Sequence, residues 1–135
     1  NSNKIEKTFI ANKINKNKIN LKLFDKTDIM IDYLVNIISL LNNKVNLSKY
    51  AIISRYKKQL NKIENRLAKL NIATLYLENN FDNMDFQNNS NNYKNRLILT
   101  TIHGTKGLEY HNVILLDYNF LNQLILYIYI NLYNN

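Results

Sequence analysis

The stretch LILTTIHGTKGLEYHNVILLD, residues 97–117, is the part of the chain from which we begin to predict the fold. It contains both glycines of the chain, Gly104 and Gly107, and apolar runs lie on either side of them. This order predicts a strand, a functional loop with a short helix, and a second strand. Glycines on both sides of Thr105-Lys106 allow the backbone to approach a ligand closely, and they place N–H groups beside a cation.

Strands and helices alternate upstream of this stretch. The apolar patterns predict strands over 21–24, 50–53, 72–77, 97–101 and 112–117, and helices over 29–41 and 55–70. Thr27 and Ser54 are the predicted N-caps, and Asn71 suits a left-handed helix end. The alternation predicts an α/β fold with a mostly parallel sheet. In such sheets ligands bind at the carboxyl ends of the strands, where Arg55 and the loop over 101–109 fall.

Three segments lie outside this alternation. Residues 1–19 are a loose lead-in, and residues 78–95 form an Asn-rich, low-complexity linker within a domain that spans 20–117. Residues 118–135 form an atypical tail. Its apolar alternation over 127–130 has two interpretations, an edge strand or translated low-complexity DNA.

Composition restricts the class of protein. A chain of 135 residues with 46% hydrophobic residues suits one globular domain. Its net charge of +8 favours a polyanionic partner, although an A/T-rich coding bias towards Asn, Lys, Ile and Tyr also adds basic residues. The absence of cysteine excludes disulfides and cysteine-ligated zinc. The apolar run over 120–132 is shorter than the roughly 20 residues of a membrane span. We therefore expect an intracellular protein, in cytoplasm or nucleus, without a membrane partner.

The stretch resembles motif V of the UvrD/Rep-type superfamily 1 DNA helicases. The family pattern is hydrophobic-x-T-x-H-x-x-K-G-L-E-aromatic, and this chain matches it from Thr101 to Tyr110. Residues 51–56, AIISRY, resemble motif IV of the same family, in which a strand ends in an arginine. The resemblance covers about residues 28–117. It implies a RecA-like (P-loop NTPase-type) fold, and specifically the second motor domain only.

The resemblance also implies a role for each matching residue. Arg55 would be the catalytic contact to the γ-phosphate of ATP, and Gly107 and Glu109 would complete the nucleotide-binding set. Thr101, His103 and Lys106 would contact DNA. Considered alone, Arg55 is also typical of a surface arginine and Glu109 of a solvated glutamate. A metal pair of His103 and His111 lacks further ligands, so we expect no metal site on this chain.

The function implied is that of an ATP-dependent DNA helicase that couples hydrolysis to translocation along single-stranded DNA and to unwinding. The other partner would be an N-terminal RecA-like domain, in cis or in trans, which would carry the Mg²⁺ ligands. Walker A, Walker B and motif VI are absent from the sequence, so we expect the isolated chain to be inactive. One alternative is a non-catalytic, truncated helicase remnant that binds nucleic acid or a partner. A third is an unrelated small α/β nucleotide-binding protein.

Overall fold

A computed structural model of the chain describes residues 19–77, 95–102, 110, 112–119 and 121–130. A 3₁₀ turn at Leu47–Lys49 precedes the second strand. Within the described residues lie strands β1 (Ile19–Phe24), β2 (Tyr50–Ser54), β3 (Thr74–Leu77), β4 (Leu97–Thr101), β5 (Asn112–Tyr118) and β6 (Leu124–Ile130), and helices α1 (Thr27–Asn42) and α2 (Lys57–Ala68).

The strands form one mostly parallel sheet in the order β1-β6-β5-β2-β4-β3. Strands β3, β4, β2 and β5 are parallel neighbours, whereas β6 lies antiparallel between β5 and β1. The predicted α/β class and mostly parallel sheet are therefore confirmed. The alternation over 127–130 does belong to a strand, but an interior one with a neighbour on each side rather than an edge strand.

Both helices pack on the same face of the sheet and form the main core there. Leu40 and Leu70 are 69% and 48% exposed, although both belong to the apolar patterns of the helices. Leu40 lies about a third of a turn from the centre of the stripe of Met30, Leu34 and Ile38, and Leu70 follows the end of α2. The largest fully buried side chains are Tyr50, Met30, Ile31, Leu34, Ile38, Leu47, Ile52, Leu60, Ile63, Leu67, Leu77 and Leu97.

The opposite face of the sheet carries a smaller cluster. Ala51, Leu77 and Ile98 are fully buried there, and Tyr110 packs against them. Burial raises the pKa of Tyr110 from 10.0 to about 12, because the charged phenolate is poorly solvated in this position. Tyr110, the aromatic position of the motif V-like pattern, therefore packs on this face of the sheet.

The helix ends differ in part from the sequence prediction. Thr27 and Ser54 are not N-caps, because α1 is capped by Lys26 without a side-chain hydrogen bond and α2 is capped by Tyr56. Ser54 instead accepts a hydrogen bond from the backbone N–H of Tyr56 through its hydroxyl, at 3.1 Å. Asn71 has φ of 59°, as predicted for a left-handed helix end. Neither described helix is long and apolar enough to cross a membrane.

Candidate functional site

The carboxyl ends of three parallel strands meet at one edge of the sheet, hereafter the carboxyl edge. In the register of these strands Ser54 of β2 lies between Thr101 of β4 and Leu116 of β5. The backbone N–H of Ile102 donates to the carbonyl of Ser54 at 3.1 Å. Because Arg55 directly follows Ser54, Arg55 and Thr101 both lie at the carboxyl edge, where the topology predicts them. Thr101 is level with Ser54, which faces the helices, whereas Arg55 contacts Asp117 on the opposite face of the sheet.

The other predicted site residues fall on a part of the chain that the structure does not describe. His103, Lys106, Gly107 and Glu109 all lie within the undescribed residues 103–109. Most of the predicted linker, residues 78–94, is likewise outside the described residues. The structure thus places Arg55 and Thr101 at the same edge of the sheet, and the positions of the remaining four stay predictions.

Arg55 contacts a residue that the sequence did not suggest as its partner. Its Nη2 lies 3.5 Å from Oδ2 of Asp117 near the end of β5, and the two side chains are 56% and 24% exposed. The other carboxylate oxygen of Asp117 accepts a hydrogen bond from the backbone N–H of Tyr118 at 2.8 Å. An exposed pair at this distance contributes about 0–1 kcal/mol to stability. Its main consequence is that a carboxylate competes with any anion that approaches Arg55.

A hydrogen-bonded chain runs along the same edge on the helix-covered side of the sheet. The buried Gln59 of α2 accepts from the hydroxyl of Ser54 and donates to the hydroxyl of Tyr118 at 3.3 Å. A buried amide requires partners for both ends, and this chain supplies them. The ring of Tyr118 also meets the ring of Tyr56 edge to face, with the centroids 6.1 Å apart. The contacts with Gln59 and Tyr56 therefore hold the Tyr118 ring in position at the end of β5.

A cavity of about 270 Å³ lies beside this hydrogen-bonded chain. No local sequence pattern predicts this cavity, because its walls come from both helices and the end of β5. The local signal that could have suggested it is the pair of lysines one turn apart on α2. The lining residues are Thr27, Tyr56, Lys58, Gln59, Lys62 and Tyr118.

Charges on the helices divide into paired and unpaired groups. Lys57 lies over the ring of Tyr76, with Nζ 4.8 Å from the centroid, and Arg66 pairs with Asp32 at 2.6 Å. Within the described ranges, Lys58 and Lys62 form no ion pair. No carboxylate of the described residues therefore competes with a ligand for the two cavity lysines, whereas Lys57 lies against an aromatic ring.

Among the described residues, no group of three or more histidine, aspartate or glutamate side chains could hold a metal ion. No protein-family model matches the chain, and no match was found among curated proteins or solved structures. The features of this chain that bear on function are therefore the motif residues and the geometry of the carboxyl edge.

Proposed function

We propose that this chain is the second RecA-like motor domain of a UvrD/Rep-like ATP-dependent DNA helicase. It would supply one wall of the ATP cleft and part of the track for single-stranded DNA. The observation that supports this is the juxtaposition at the carboxyl edge. Strands β4 and β5 lie on either side of β2, so the motif-bearing connection between them starts directly beside Arg55.

The chemistry of Arg55 suits a phosphate contact. Its guanidinium is permanently charged, more than half exposed, and contacts Asp117 through only one of its nitrogens. The planar fork can thus bind phosphate oxygens, and it would stabilise the charge that develops during phosphoryl transfer. Glu109 would accept hydrogen bonds from the ribose hydroxyls, with Gly107 allowing close approach. Bound ATP with Mg²⁺ supplies the phosphoryl group, and the partner domain would hold the metal.

The same edge would contact the nucleic acid. The hydroxyl of Thr101 can hydrogen-bond a phosphate, and His103 and Lys106 would add an imidazole and a cation. The net charge of +8 favours such a strand. We expect weak binding that is independent of sequence and that falls steeply with salt, since lysine–phosphate contacts release counterions.

The decisive experiment measures hydrolysis before and after the chain is joined to an N-terminal helicase domain. The purified chain alone should show no ATPase activity with or without DNA. In the joined enzyme, Arg55→Lys should lower kcat by roughly a hundredfold or more, the usual effect of losing a preorganised donor, and leave ATP affinity nearly unchanged. Arg66→Lys is the matched control, because Arg66 pairs with Asp32 on the helices.

Two results would overturn the proposal. One is ATPase activity of the isolated chain that persists through purification and disappears in Arg55→Ala. The other is a joined enzyme in which Arg55→Lys and Arg66→Lys behave alike.

A non-catalytic module that binds nucleic acid or a partner chain is the second candidate. The contact between Arg55 and Asp117 favours it, because a carboxylate already occupies part of the arginine that would meet ATP. This candidate predicts that the joined enzyme binds single-stranded DNA and still fails to hydrolyse ATP.

A further inference from the structure

The cavity beside Gln59 lies on the opposite side of the sheet from Arg55 and Asp117. Tyr118 belongs to the set of β5 residues that faces the helices, and Asp117 to the alternate set. We propose that this cavity is a second binding site, which takes one nucleotide unit of a single-stranded nucleic acid. The base would contact the tyrosine rings and a phosphate would lie between the lysines. This site requires no ATP and shares with the proposed function only the binding of single strands.

Two aromatic rings form one wall of the site. Tyr56 and Tyr118 are 50% and 37% exposed, and their rings contact each other. Because they meet edge to face, the pair leaves ring surface available towards the cavity. Proteins that bind single strands use exposed aromatic rings in this way, since every base offers a flat face.

Two lysines form the basic part of the site. Lys58 and Lys62 are four residues apart on α2, so their side chains lie one turn apart on the same side of the helix. Neither forms an ion pair in the part of the chain that the structure describes. Two unpaired ammonium groups next to aromatic rings match the two parts of a nucleotide, a phosphate and a base.

The floor of the site is rigid. Gln59 is held by Ser54 at the end of β2, and in turn its amide holds the hydroxyl of Tyr118. The tyrosine ring is therefore positioned before any ligand arrives, which lowers the entropy cost of binding. Since the hydroxyl oxygen of Tyr118 accepts from Gln59, its proton is directed elsewhere and can be donated to a polar atom of a base.

The size of the site favours a strand over a free small molecule. Pockets for complete small ligands have volumes of roughly 300–1,000 Å³, and this cavity of about 270 Å³ lies just below that range. It can enclose one part of a ligand while the remainder lies outside. A strand meets this condition, because its neighbouring nucleotides continue along the surface.

The test measures the affinity of the chain for fluorescein-labelled (dT)₁₂ by anisotropy over a salt series. The double variant Lys58→Gln/Lys62→Gln should weaken binding and reduce the salt slope by about 0.7, the value for the one phosphate that the two lysines no longer neutralise. The control is Lys44→Gln/Lys69→Gln, which removes the same charge from exposed positions just past the ends of α1 and α2. The control should keep the parent slope.

A second arm tests the aromatic wall. Tyr56→Leu should weaken (dT)₁₂ binding about fivefold or more, the lower limit for loss of a stacked base. It should not change the affinity for an abasic twelve-residue deoxyribose phosphate chain. Tyr56 and both lysines are exposed, so these substitutions spare the core, and a matching urea midpoint confirms the fold of each variant.

Three outcomes would overturn the second site. The first is an equal loss of (dT)₁₂ affinity in the two double variants. The second is an unchanged (dT)₁₂ affinity in Tyr56→Leu. The third is competition by dTMP as strong as that by unlabelled (dT)₁₂, which would indicate a pocket for a free nucleotide. Thr101→Val separates this inference from the proposed function. If only Thr101→Val loses binding, the second site is contradicted and the proposed DNA track is retained. If only the cavity variants lose binding, the proposed DNA track is contradicted and the second site is retained.

Discussion

The sheet has two halves, and they differ in the predicted site residues that they contain. The parallel half, β3-β4-β2-β5, contains Arg55, Thr101 and both ends of the stretch over residues 97–117. The antiparallel half, β6 and β1, contains none of the predicted site residues. Yet Leu124, Leu126 and Ile128 of β6 are buried in the same core as the residues of the parallel strands. A segment without predicted site residues can therefore be as much a part of the fold as the segment that contains them.

The antiparallel half also affects the site through β5. Strand β5 is paired on both sides, and its last residues, Asp117 and Tyr118, lie opposite Ile125 and Leu124 of β6. The turn that follows is closed by Asn119, whose side chain accepts from two backbone N–H groups at 2.9 and 2.8 Å. The residues that contact Arg55 and Gln59 are thus held in position by a hairpin with β6.

The largest expected effect tests whether the two halves form one cooperative unit. Leu126→Ala in β6 and Leu99→Ala in β4 should each lower the free energy of unfolding by about 2.7–5 kcal/mol, because both side chains are fully buried. Leu40→Ala is the exposed control and should change it by about 0.5 kcal/mol or less. Urea unfolding measures all three. A loss below about 1 kcal/mol at Leu126 alone would mean that β6 is dispensable.

Much of this fold follows from local patterns. The apolar runs predict β4 at its observed bounds and β5 to within one residue, since short apolar runs beside glycine are typical of buried parallel strands. The place of β6 could not be predicted in this way. Alternation determines which face a side chain occupies, but pairing with β5 and β1 depends on distant parts of the chain.

The candidate site also has one part that the sequence predicts and another part that it does not. The adjacency of Arg55 and Thr101 follows from strand topology, because parallel strands present their carboxyl ends at one edge. The contacts of Arg55 with Asp117 and of Gln59 with Tyr118 join residues 62 and 59 positions apart, so no local pattern indicates them. Sequence predicts which edge is functional, and the structure adds which side chains meet there.

A smaller effect, on the affinity for ATP, concerns Asp117 at the carboxyl edge of the parallel half. Asp117→Asn should strengthen binding of ATP to the isolated chain by a few-fold, because an exposed ion pair is worth about 0.2–1 kcal/mol and would no longer compete for Arg55. Asp32→Asn removes the same charge beside Arg66 and should leave the affinity unchanged. Calorimetric titration compares the two. Equal gains in both variants would show an effect of net charge, and the competition at Arg55 would be excluded.

The last prediction concerns Tyr110, which packs on the face of the sheet opposite the helices. Its pKa is raised to about 12 by burial, so the folded chain retains this proton where the unfolded chain, near 10.0, loses it. The contribution of the neutral phenol to stability is therefore complete below pH 10 and is lost as the pH rises from 10 towards 12. Urea midpoints at pH 8, 10 and 11 should fall less steeply for Tyr110→Phe than for the parent. Tyr50→Phe should behave similarly, because burial also raises the pKa of Tyr50. Identical pH profiles for Tyr110→Phe and the parent would show that Tyr110 is solvated and does not pack on the sheet.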